Sequence, residues 1–450
     1  MGSPDILKLV RFSKRERSYS TNSLVSLGGY AITSVLTLGF GIIAARALGP
    51  DGNGKLSLLL VIMSTVPVLI NGGLGQAAVY AINRQKASVE AVANELWTTA
   101  WIWGGISAVG VLIGCAIWNL KSPGLFSVLV ICVAVLLTPP LLARNYAEYL
   151  YTAMHRFGWQ AVVLMVDLVL RLVLFTALIH WRGGVDGAVL AVTVAALVST
   201  SLGWANLMAN LGRPRMAPLL PTLRPLLSYG WINHLSVLAG HLNLRVDQFL
   251  IAAALPVREL GVYVTAVTLA ELPLKIATAV SKVLFAKVAS SNANEATQLT
   301  SATLRIVMTL AWMIAALVWL LRDPLVVAVY GTGYADAGLA LAWLLPGAVL
   351  FNYVQILNSD LAGRGYPMAS AVAGAAGLVT GVVANLTLTS RIGIAGAAIS
   401  TSMGYAVNSG VVIYRYCQLT GEPPTRLLWV TWSDVQKIVV LLQTYARKLL

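Results

Sequence analysis

The feature that most constrains this chain is a succession of long apolar segments that fill most of its 450 residues. A helix needs about 20 mostly apolar residues to cross the hydrocarbon core of a bilayer, where only helices and closed barrels satisfy their backbone polar groups. The segments are too long and too continuously apolar for barrel strands. The sequence therefore predicts an all-α membrane protein with about 12 transmembrane helices, near residues 22–47, 56–82, 96–118, 124–152, 159–181, 185–211, 225–255, 259–288, 299–321, 338–362, 366–390 and 392–416.

The composition excludes several other classes of protein. Hydrophobic residues make up 58% of the chain and charged residues only 11%, which is too little polar surface for a soluble enzyme, a nucleic-acid binder or a disordered chain. The net charge of +14 fits the Lys and Arg of cytoplasmic loops in membrane proteins, so no nucleic acid is expected as a partner. Cys115, Cys132 and Cys417 lie in apolar segments, so neither a disulfide framework nor a metal site is predicted.

Basic residues are distributed unevenly over the predicted loops. They are concentrated at the N-terminus and in alternate loops after it, and include Lys8, Arg11, Lys14, Arg84, Lys86, Arg156, Arg213, Arg215, Arg364 and Arg415. By the positive-inside rule this asymmetry predicts a multi-pass protein of the cytoplasmic membrane with both termini in the cytoplasm.

The two halves of the chain are similar to each other at an offset near 207 residues. Gly54 matches Gly261, and Asn145 matches Asn352. Because this offset spans six segments, both halves insert with the same orientation, which predicts two six-helix lobes related by a pseudo-twofold axis along the membrane normal. We expect an N-terminal lobe (1–211), a cytoplasmic linker (212–224), a C-terminal lobe (225–417) and a cytoplasmic tail (418–450), whose last part, 433–450, is either an amphipathic surface helix or a frayed terminal helix.

Ionisable residues inside the predicted spans indicate a polar cavity, because such residues are costly in lipid and usually face a cavity or a partner. His241, Arg245 and Gln248 share one face of span seven. Six residues are candidates to bind a polyanionic headgroup: Arg144, Arg171, His241, Arg245, Gln248 and Lys275. Four carboxylates are candidates to take a coupling ion: Asp167, Asp247, Glu271 and Asp360.

Other interpretations of these residues stay open. Three acid–base neighbours with i, i+4 spacing also suit local ion pairs that neutralise themselves: Asp167–Arg171, Glu271–Lys275 and Arg144–Glu148. Arg245 has no carboxylate three or four residues away on its own helix, which favours a role in the cavity. His234 and His241 lack a third ligand at metal-like spacing, so they are interpreted as a proton-sensitive cavity lining.

The segment Gly49–Lys55 fits the phosphate-binding pattern GxxxxGK but is interpreted as a tight turn. The next residue is Leu56, where a nucleotide site needs Ser or Thr, and the preceding segment is a spanning helix and not a strand. No catalytic constellation is evident in the loops. The sequence therefore predicts no cofactor, and an ion gradient is the expected source of energy.

Several motifs together resemble a known family. They are Ala45–Leu59 (ARALGPDGNGKLSLL), Gly72–Arg84, Val246–Ala266, Tyr330–Pro346 and Gly393–Tyr405. In this order they resemble Wzx-type O-antigen and exopolysaccharide flippases of the multidrug/oligosaccharidyl-lipid/polysaccharide exporter superfamily, over most of residues 20–417.

The resemblance implies a V-shaped bundle that moves an undecaprenyl-diphosphate-linked oligosaccharide between membrane leaflets by alternating access, with membrane lipids and a polysaccharide polymerase as partners. Two alternatives remain. A cation-coupled drug antiporter of the same superfamily would favour an acidic cavity, whereas the spans hold at least as many cations as anions. A membrane glycan polymerase or ligase would need a long extracytoplasmic loop, whereas the longest candidate here, near 322–337, is short.

Overall fold

The computed structural model describes residues 14–121, 127–182, 184–217 and 221–428. Within these ranges the chain is helical apart from short turns, and no strand is present. Residues 1–13 and the predicted surface segment 433–450 lie outside the described residues. The helices are α1 (Lys14–Asn71), α2 (Leu74–Arg84), α3 (Val89–Lys121), α4 (Val128–Ala153), α5 (Phe157–Arg182), α6 (Gly184–Leu211), α7 (Leu227–Ala254), α8 (Val257–Ala270), α9 (Leu272–Ser290), α10 (Ala293–Leu320), α11 (Arg322–Tyr330), α12 (Ala337–Gly363), α13 (Pro367–Thr420) and α14 (Pro424–Leu428).

The two longest helices, α1 and α13, each consist of two legs joined at a kink. Gly49 in α1 has φ 67° and Gly393 in α13 has φ 62°, a left-handed conformation that glycine adopts at little cost. The legs of α13 fold back on each other, because a Cβ built on Gly377 would lie 2.6 Å from the Cβ of Asn408. Both legs of α1 line one cavity, from Ser34 to Pro67. Each of these helices therefore crosses the membrane twice.

The predicted number of spans is found within the described residues. Eight helices are individually long and apolar enough to cross a bilayer, and these include the two kinked helices that each supply two spans. Helices α8 and α9 meet at a bend of 51° and together form one more. Helix α7 is long enough, at 28 residues, but is too polar to meet the same criterion of apolarity; counted as a span, it brings the described chain to the twelve expected. The all-helical, multi-pass membrane fold is thereby confirmed.

Two spans that the sequence predicts as continuous helices are broken in the structure. The second is interrupted at Gly72 and Gly73, whose φ angles are 59° and 84°. The eighth is interrupted at Glu271, because Pro273 in the first turn of α9 cannot donate an N–H to the preceding turn and its ring clashes with the carbonyl four residues earlier. This break places the Glu271 carboxylate at the junction of two helices.

The two lobes meet at equivalent positions of the sequence repeat. A Cβ built on Gly54 would lie 2.0 Å from the Val257 carbonyl oxygen, and one built on Gly261 would lie 1.9 Å from the Pro50 carbonyl oxygen. Pro50 and Val257 are separated by the same offset as Gly54 and Gly261. A reciprocal contact of this kind is what a twofold relation between the lobes requires. We call this end of the bundle the Gly49 face and the opposite end the Arg84 face.

The apolar core consists of two clusters, and the linker packs at the Arg84 face. The larger buried cluster runs through the C-terminal lobe and the Gly49-face half of the N-terminal lobe, and a smaller cluster fills the rest of the N-terminal lobe. The segment after α6 packs along α3. There the Glu95 carboxylate accepts hydrogen bonds from the backbone N–H groups of Thr222 (3.0 Å) and Leu223 (3.2 Å), and the Asn94 side chain accepts one from Arg215 (2.8 Å).

Candidate functional site

A cavity of about 760 Å³ lies between the two lobes. Helices α1, α4, α5, α7, α8 and α9 supply most of its wall. The lining residues on the second leg of α1 run from Asn53 to Pro67. The cavity therefore lies between the contact at Gly54 and a second close backbone contact, where a Cβ built on Gly73 would lie 2.4 Å from the carbonyl carbon of Gly230.

Four charged residues on α4 and α5 form a continuous series along this wall, which we call the N-lobe chain: Glu148, Arg144, Asp167 and Arg171. Arg144 lies 3.5 Å from Glu148 and 3.0 Å from Asp167, and Arg171 lies 2.8 Å from the other oxygen of Asp167. The hydroxyl of Ser199 on α6 donates to Asp167 at 3.2 Å. The signs alternate along the chain, so its net charge is zero.

Burial explains why these charges are paired. The Asp167 side chain is 2% exposed and that of Arg144 is 11% exposed. An ion at such a position is tolerated only with a well-placed partner. Both i, i+4 pairs predicted for this lobe are present, and the contact between Arg144 and Asp167 joins them into one network.

Three residues of the C-terminal lobe form a second charged group on the opposite wall, which we call the C-lobe triad: Arg245, Glu271 and Lys275. Arg245 lies 3.1 Å and Lys275 lies 3.5 Å from the Glu271 carboxylate. The carboxylate that Arg245 lacks on its own helix is thus supplied by the junction of α8 and α9. With two cations and one anion the triad carries a net charge of +1. It is also more accessible, since the side chains of Arg245 and Lys275 are 30% and 48% exposed.

The other predicted binding residues occupy different positions. Gln248 lines the cavity beside the C-lobe triad. His241 is not among the described lining residues, and its Nε2 lies 3.0 Å from the Thr65 hydroxyl on α1. Asp360 is fully buried on α12, away from the cavity, where it pairs with Arg364 and accepts a hydrogen bond of 2.5 Å from Thr300.

Asp247 differs from the other three predicted carboxylates. It is 3% exposed and faces a small separate cavity inside the C-terminal lobe. Its partners are the hydroxyls of Tyr263 (2.6 Å) and Thr401 (3.1 Å) and the backbone N–H of Gln248 (2.8 Å). Among the described residues, no Lys or Arg forms a salt bridge with it. Asp247 is therefore a buried carboxylate held by neutral donors.

A set of polar contacts at the Gly49 face was not anticipated from the sequence. The Arg46 guanidinium donates to the backbone carbonyls of Ala328 and Val329 at the end of α11, the latter at 2.7 Å. The Tyr334 hydroxyl donates to the Ala45 carbonyl at 2.7 Å. These contacts join α1 of one lobe to the other lobe. No local pattern in the sequence indicates them, because the partners are backbone groups far away along the chain.

Two further features bear on ligands. Asn145 and Glu148 line the cavity on the polar face of α4, and Asn71 donates to Asn145 at 2.7 Å. Both residues can be predicted from the sequence, because the polar residues of span four recur at helical spacing and so lie on one face of the helix. In the part of the chain that the structure describes, no three His, Cys, Asp or Glu side chains cluster as metal ligands.

A family model described as "Polysaccharide biosynthesis protein" matches residues 20–286. The chain is 24% identical over 261 residues to the "Probable low-salt glycan biosynthesis flippase Agl15" of Haloferax volcanii, a match that covers 57% of this chain. It covers 55% of that protein, so the chain spans about half the length of the curated relative it matches.

Solved structures show the same fold. An inward-facing multidrug resistance MATE family transporter of the MOP superfamily matches with TM-score 0.71 and 17% identity, over 89% of this chain and 98% of that one. The lipid II flippase MurJ in an inward closed conformation matches with TM-score 0.71 and 11% identity, over 94% and 93%. A MOP superfamily transporter from Pyrococcus furiosus, described as having a binding pocket of reverse polarity, matches with TM-score 0.61 and 16% identity, over 89% and 94%.

Proposed function

The chain belongs to the polysaccharide biosynthesis protein family, and we propose that it is a flippase for a polyprenyl-diphosphate-linked oligosaccharide used in cell-surface polysaccharide assembly. The fold shared with a lipid II flippase supports this proposal, as does the relative described as a glycan biosynthesis flippase. Both are described as flippases, which favours a transporter over an enzyme for this chain.

The observation that carries the proposal is the surplus of positive charge on the cavity wall. Its described lining holds four cations against three carboxylates, and the surplus resides in the C-lobe triad. A phosphate that leaves water needs cations and hydrogen-bond donors to offset its lost hydration. Arg245 and Lys275 have more N–H donors than Glu271 occupies, so they can bind a phosphate without releasing that carboxylate.

The remaining lining suits a sugar chain. Hydroxyl and amide groups on α1, α4, α7 and α8 face the cavity, and include Ser57, Ser64, Asn145, Gln248 and Thr268. Such groups replace the water that hydrates sugar hydroxyls. The polyprenyl tail stays in the bilayer while the headgroup crosses between the lobes.

Alternating access is the mechanism we propose. The lobes are related by a twofold axis along the membrane normal, which is a common plan for transporters that rock around a central site. The reciprocal Gly54–Gly261 contact and the Arg46 contacts close the Gly49 face in this state. Separation of these contacts would open the cavity on that side.

Among the four candidate carboxylates, Asp247 is the one that we propose to take the coupling ion. Asp167, Glu271 and Asp360 each lie within 4 Å of an Arg or Lys side chain. Asp247 is held by two hydroxyls and one N–H group, so a proton or Na⁺ there would neutralise its buried charge.

We further propose that the protein resides in the cytoplasmic membrane with both termini in the cytoplasm, so that the Arg84 face is cytoplasmic. The excess of basic residues in the loops of that face supports this orientation. The headgroup would then move from the Arg84 face to the Gly49 face, where a polymerase would receive it.

The test is transport by the purified protein in liposomes that contain a fluorescent polyprenyl-diphosphate-linked oligosaccharide. We expect exchange between leaflets above the protein-free rate, accelerated by an imposed proton or sodium gradient. Asp247→Asn should remove the acceleration and keep the basal exchange. Transport of a cationic dye without exchange of the lipid would instead identify a drug antiporter, and elongation of the glycan would identify a polymerase.

A further inference from the structure

The segment that connects the two lobes is fastened to the N-terminal lobe up to the start of α7. On α3, the side chains of Asn94 and Thr98 accept hydrogen bonds from the backbone N–H groups of Arg215 (2.8 Å) and Ala217 (2.9 Å). Glu95, on the same helix, is 2% exposed. The described part of the linker therefore follows α3 and belongs to the N-terminal lobe.

Glu95 also caps the helix that begins the other lobe. Its carboxylate accepts hydrogen bonds from the backbone N–H groups of Thr222 (3.0 Å) and Leu223 (3.2 Å). The next residues form a short 3-10 turn, Arg224–Leu226, that runs directly into α7. N–H groups at the start of a helix have no partner within it, and a carboxylate there is favoured by its hydrogen bonds and by the helix dipole. Glu95 therefore holds α7 of the C-terminal lobe from within the N-terminal lobe.

Apolar and backbone contacts fix the same end of α7. Leu223 is fully buried and Leu226 is 8% exposed, and both belong to the apolar cluster of the N-terminal lobe. One turn further on, a Cβ built on Gly230 would lie 2.3 Å from the carbonyl oxygen of Gly73, and one built on Gly73 would lie 2.4 Å from the carbonyl carbon of Gly230. Leu223 and Gly230 are only seven residues apart, which is about 10 Å along a helix. The chain between these two fixed points therefore has no slack.

The contacts that close the Gly49 face have no such connection. Gly54 and Gly261, which meet there, are 207 residues apart in the chain, and Arg46 is 283 residues from Val329. Separation of the lobes at that face stretches no short segment. Separation of α2 from α7 at the Arg84 face would instead pull Leu223 out of the apolar cluster or break its hydrogen bond to Glu95.

We propose that the start of α7, held by Glu95, is the pivot of the transport cycle, and that α2 and α7 stay together at the Arg84 face while the lobes rock. This inference rests on the proposed function. Hinges of domain motions are commonly a few residues at the end of an element, which is where Arg224–Gly230 lies. Glu95 is thus a positioning residue, which acts on transport through α7 and not through contact with the substrate.

A fixed junction of α2 and α7 also restricts where the cavity opens toward the Arg84 face. The opening then lies between the first leg of α1 and α9. Val35 and Lys275 line the cavity on these two helices, where Val35 is 69% exposed and the Lys275 side chain is 48% exposed.

The test is lipid exchange in liposomes by a protein in which α2 is covalently linked to α7. Cysteines replace Tyr80 and Tyr229, whose rings lie 4.3 Å apart across this junction, in a background without the three native cysteines. A short bifunctional methanethiosulfonate joins them. We expect the linked protein to keep at least about half of the exchange rate that it has before linking, because a pivot does not need to separate.

The matched pair for this experiment lies at the Gly49 face. Cysteines replace Arg46 and Val329, where the guanidinium now lies 2.7 Å from the backbone carbonyl oxygen. The same reagent should slow exchange by at least about tenfold there, because this face has to open in each cycle. A reducing agent, which removes the link, should restore the rate.

Glu95→Ala adds a readout that a purely structural role would not change. Loss of the cap frees the start of α7, so exchange should slow by about tenfold. Linking Tyr80→Cys to Tyr229→Cys in this variant should restore most of the rate, because the covalent link replaces the lost hydrogen bonds. Glu90→Ala is the control, since it removes an exposed carboxylate from the first turn of the same helix, and it should keep the wild-type rate.

The possible results separate the two proposals. If the link between α2 and α7 stops exchange as completely as the link at the Gly49 face, the pivot is wrong and the proposed flippase stands. Wild-type exchange by a folded Glu95→Ala protein, or slow exchange that the link does not restore, would overturn the role of Glu95. If that variant does not fold, the two linked pairs alone decide. If the unlinked protein exchanges no lipid-linked oligosaccharide, the substrate class itself is wrong, and the inference falls with it.

Discussion

The N-lobe chain and the C-lobe triad are both built from paired acidic and basic side chains and face the same cavity, but they differ in burial and in charge. In the N-terminal lobe each guanidinium contacts Asp167, whose side chain is almost inaccessible, and the charges cancel. In the C-terminal lobe Glu271 is outnumbered by two cations with side chains that are one-third to one-half exposed. Of the two groups, only the C-lobe triad has a charge that is both in excess and accessible, which is why we propose it, and not the N-lobe chain, as the ligand site.

The two charged groups are also expected to have different roles, one in the stability of the fold and the other in ligand binding. The N-lobe chain ties α4, α5 and α6 together, so its loss should weaken the fold. The C-lobe triad joins α7 to the α8–α9 junction through a more exposed pair, so its loss should mainly affect binding. Asp167→Asn, Glu271→Gln and Lys275→Gln test this division of roles, and substitutions at Gly54 and Gly261 test the contact between the lobes.

Asp167→Asn should cause the largest change in stability. It leaves Arg144 and Arg171 as neighbouring buried cations without their shared carboxylate, and breaking a buried pair in this way costs about 3–5 kcal/mol. The melting temperature in detergent should drop markedly. Glu271→Gln is the matched variant in the other lobe and should lower it much less, because its partners are more exposed. Equal losses in the two variants would contradict the division of roles.

Alanine at Gly54 or at Gly261 should open the Gly49 face. The added methyl groups would lie about 2 Å from backbone carbonyl oxygens of the other lobe, so the contact must separate. Accessibility can be measured with a cysteine at Thr265, in a background without the three native cysteines. In either alanine variant this cysteine should react with an impermeant maleimide at least about tenfold faster than in the protein with both glycines. A tenfold change corresponds to a shift of about 1.4 kcal/mol between the closed and open states.

Both glycine variants should behave alike, because the contact is reciprocal. Gly39→Ala is the control, since a Cβ there has no atom within 4 Å. Unchanged reactivity in Gly54→Ala, or opposite effects of the two variants, would show that this contact does not close the cavity.

Lys275→Gln should have the smallest effect. The ammonium is nearly half exposed and lies 3.5 Å from Glu271, and exposed pairs of this kind contribute about 0.2–1 kcal/mol. Affinity for a soluble diphosphate-linked sugar, farnesyl-diphospho-N-acetylglucosamine, should fall less than about fivefold. A loss as large as that for removal of Arg245 would show that the ammonium, and not the guanidinium, is the main phosphate ligand.

Much of the fold follows from local sequence. The apolar segments are long enough to define the spans, and the offset that relates Gly54 to Gly261 also relates the backbone atoms that they contact. Helical spacing identified Asp167 and Arg171 as one neighbouring pair and Arg144 and Glu148 as another. The breaks at Gly73 and Glu271 were missed, because a Gly pair and a Leu-Pro step inside an apolar run are compatible with a continuous span.

The ion pairs between different helices could not be predicted from the sequence. The contacts of Arg144 with Asp167 and of Arg245 with Glu271 depend on which helix faces come together, and spacing along one helix carries no information on that. For the same reason the sequence names Asp247 only as a candidate coupling carboxylate and does not indicate its partners, Tyr263 and Thr401 inside the C-terminal lobe.

The most direct test of the proposed phosphate site is the exchange of a polyprenyl-diphosphate-linked oligosaccharide in liposomes with Arg245→Ala, compared with Arg258→Ala. Arg258 pairs with Glu259 at 3.4 Å and does not line the cavity within the described residues. Loss of a charge-assisted hydrogen bond costs about 1.5–3 kcal/mol, so Arg245→Ala should slow exchange roughly 10–100-fold and Arg258→Ala should leave it unchanged. Wild-type exchange by a folded Arg245→Ala protein would contradict the assignment of the C-lobe triad as the phosphate site.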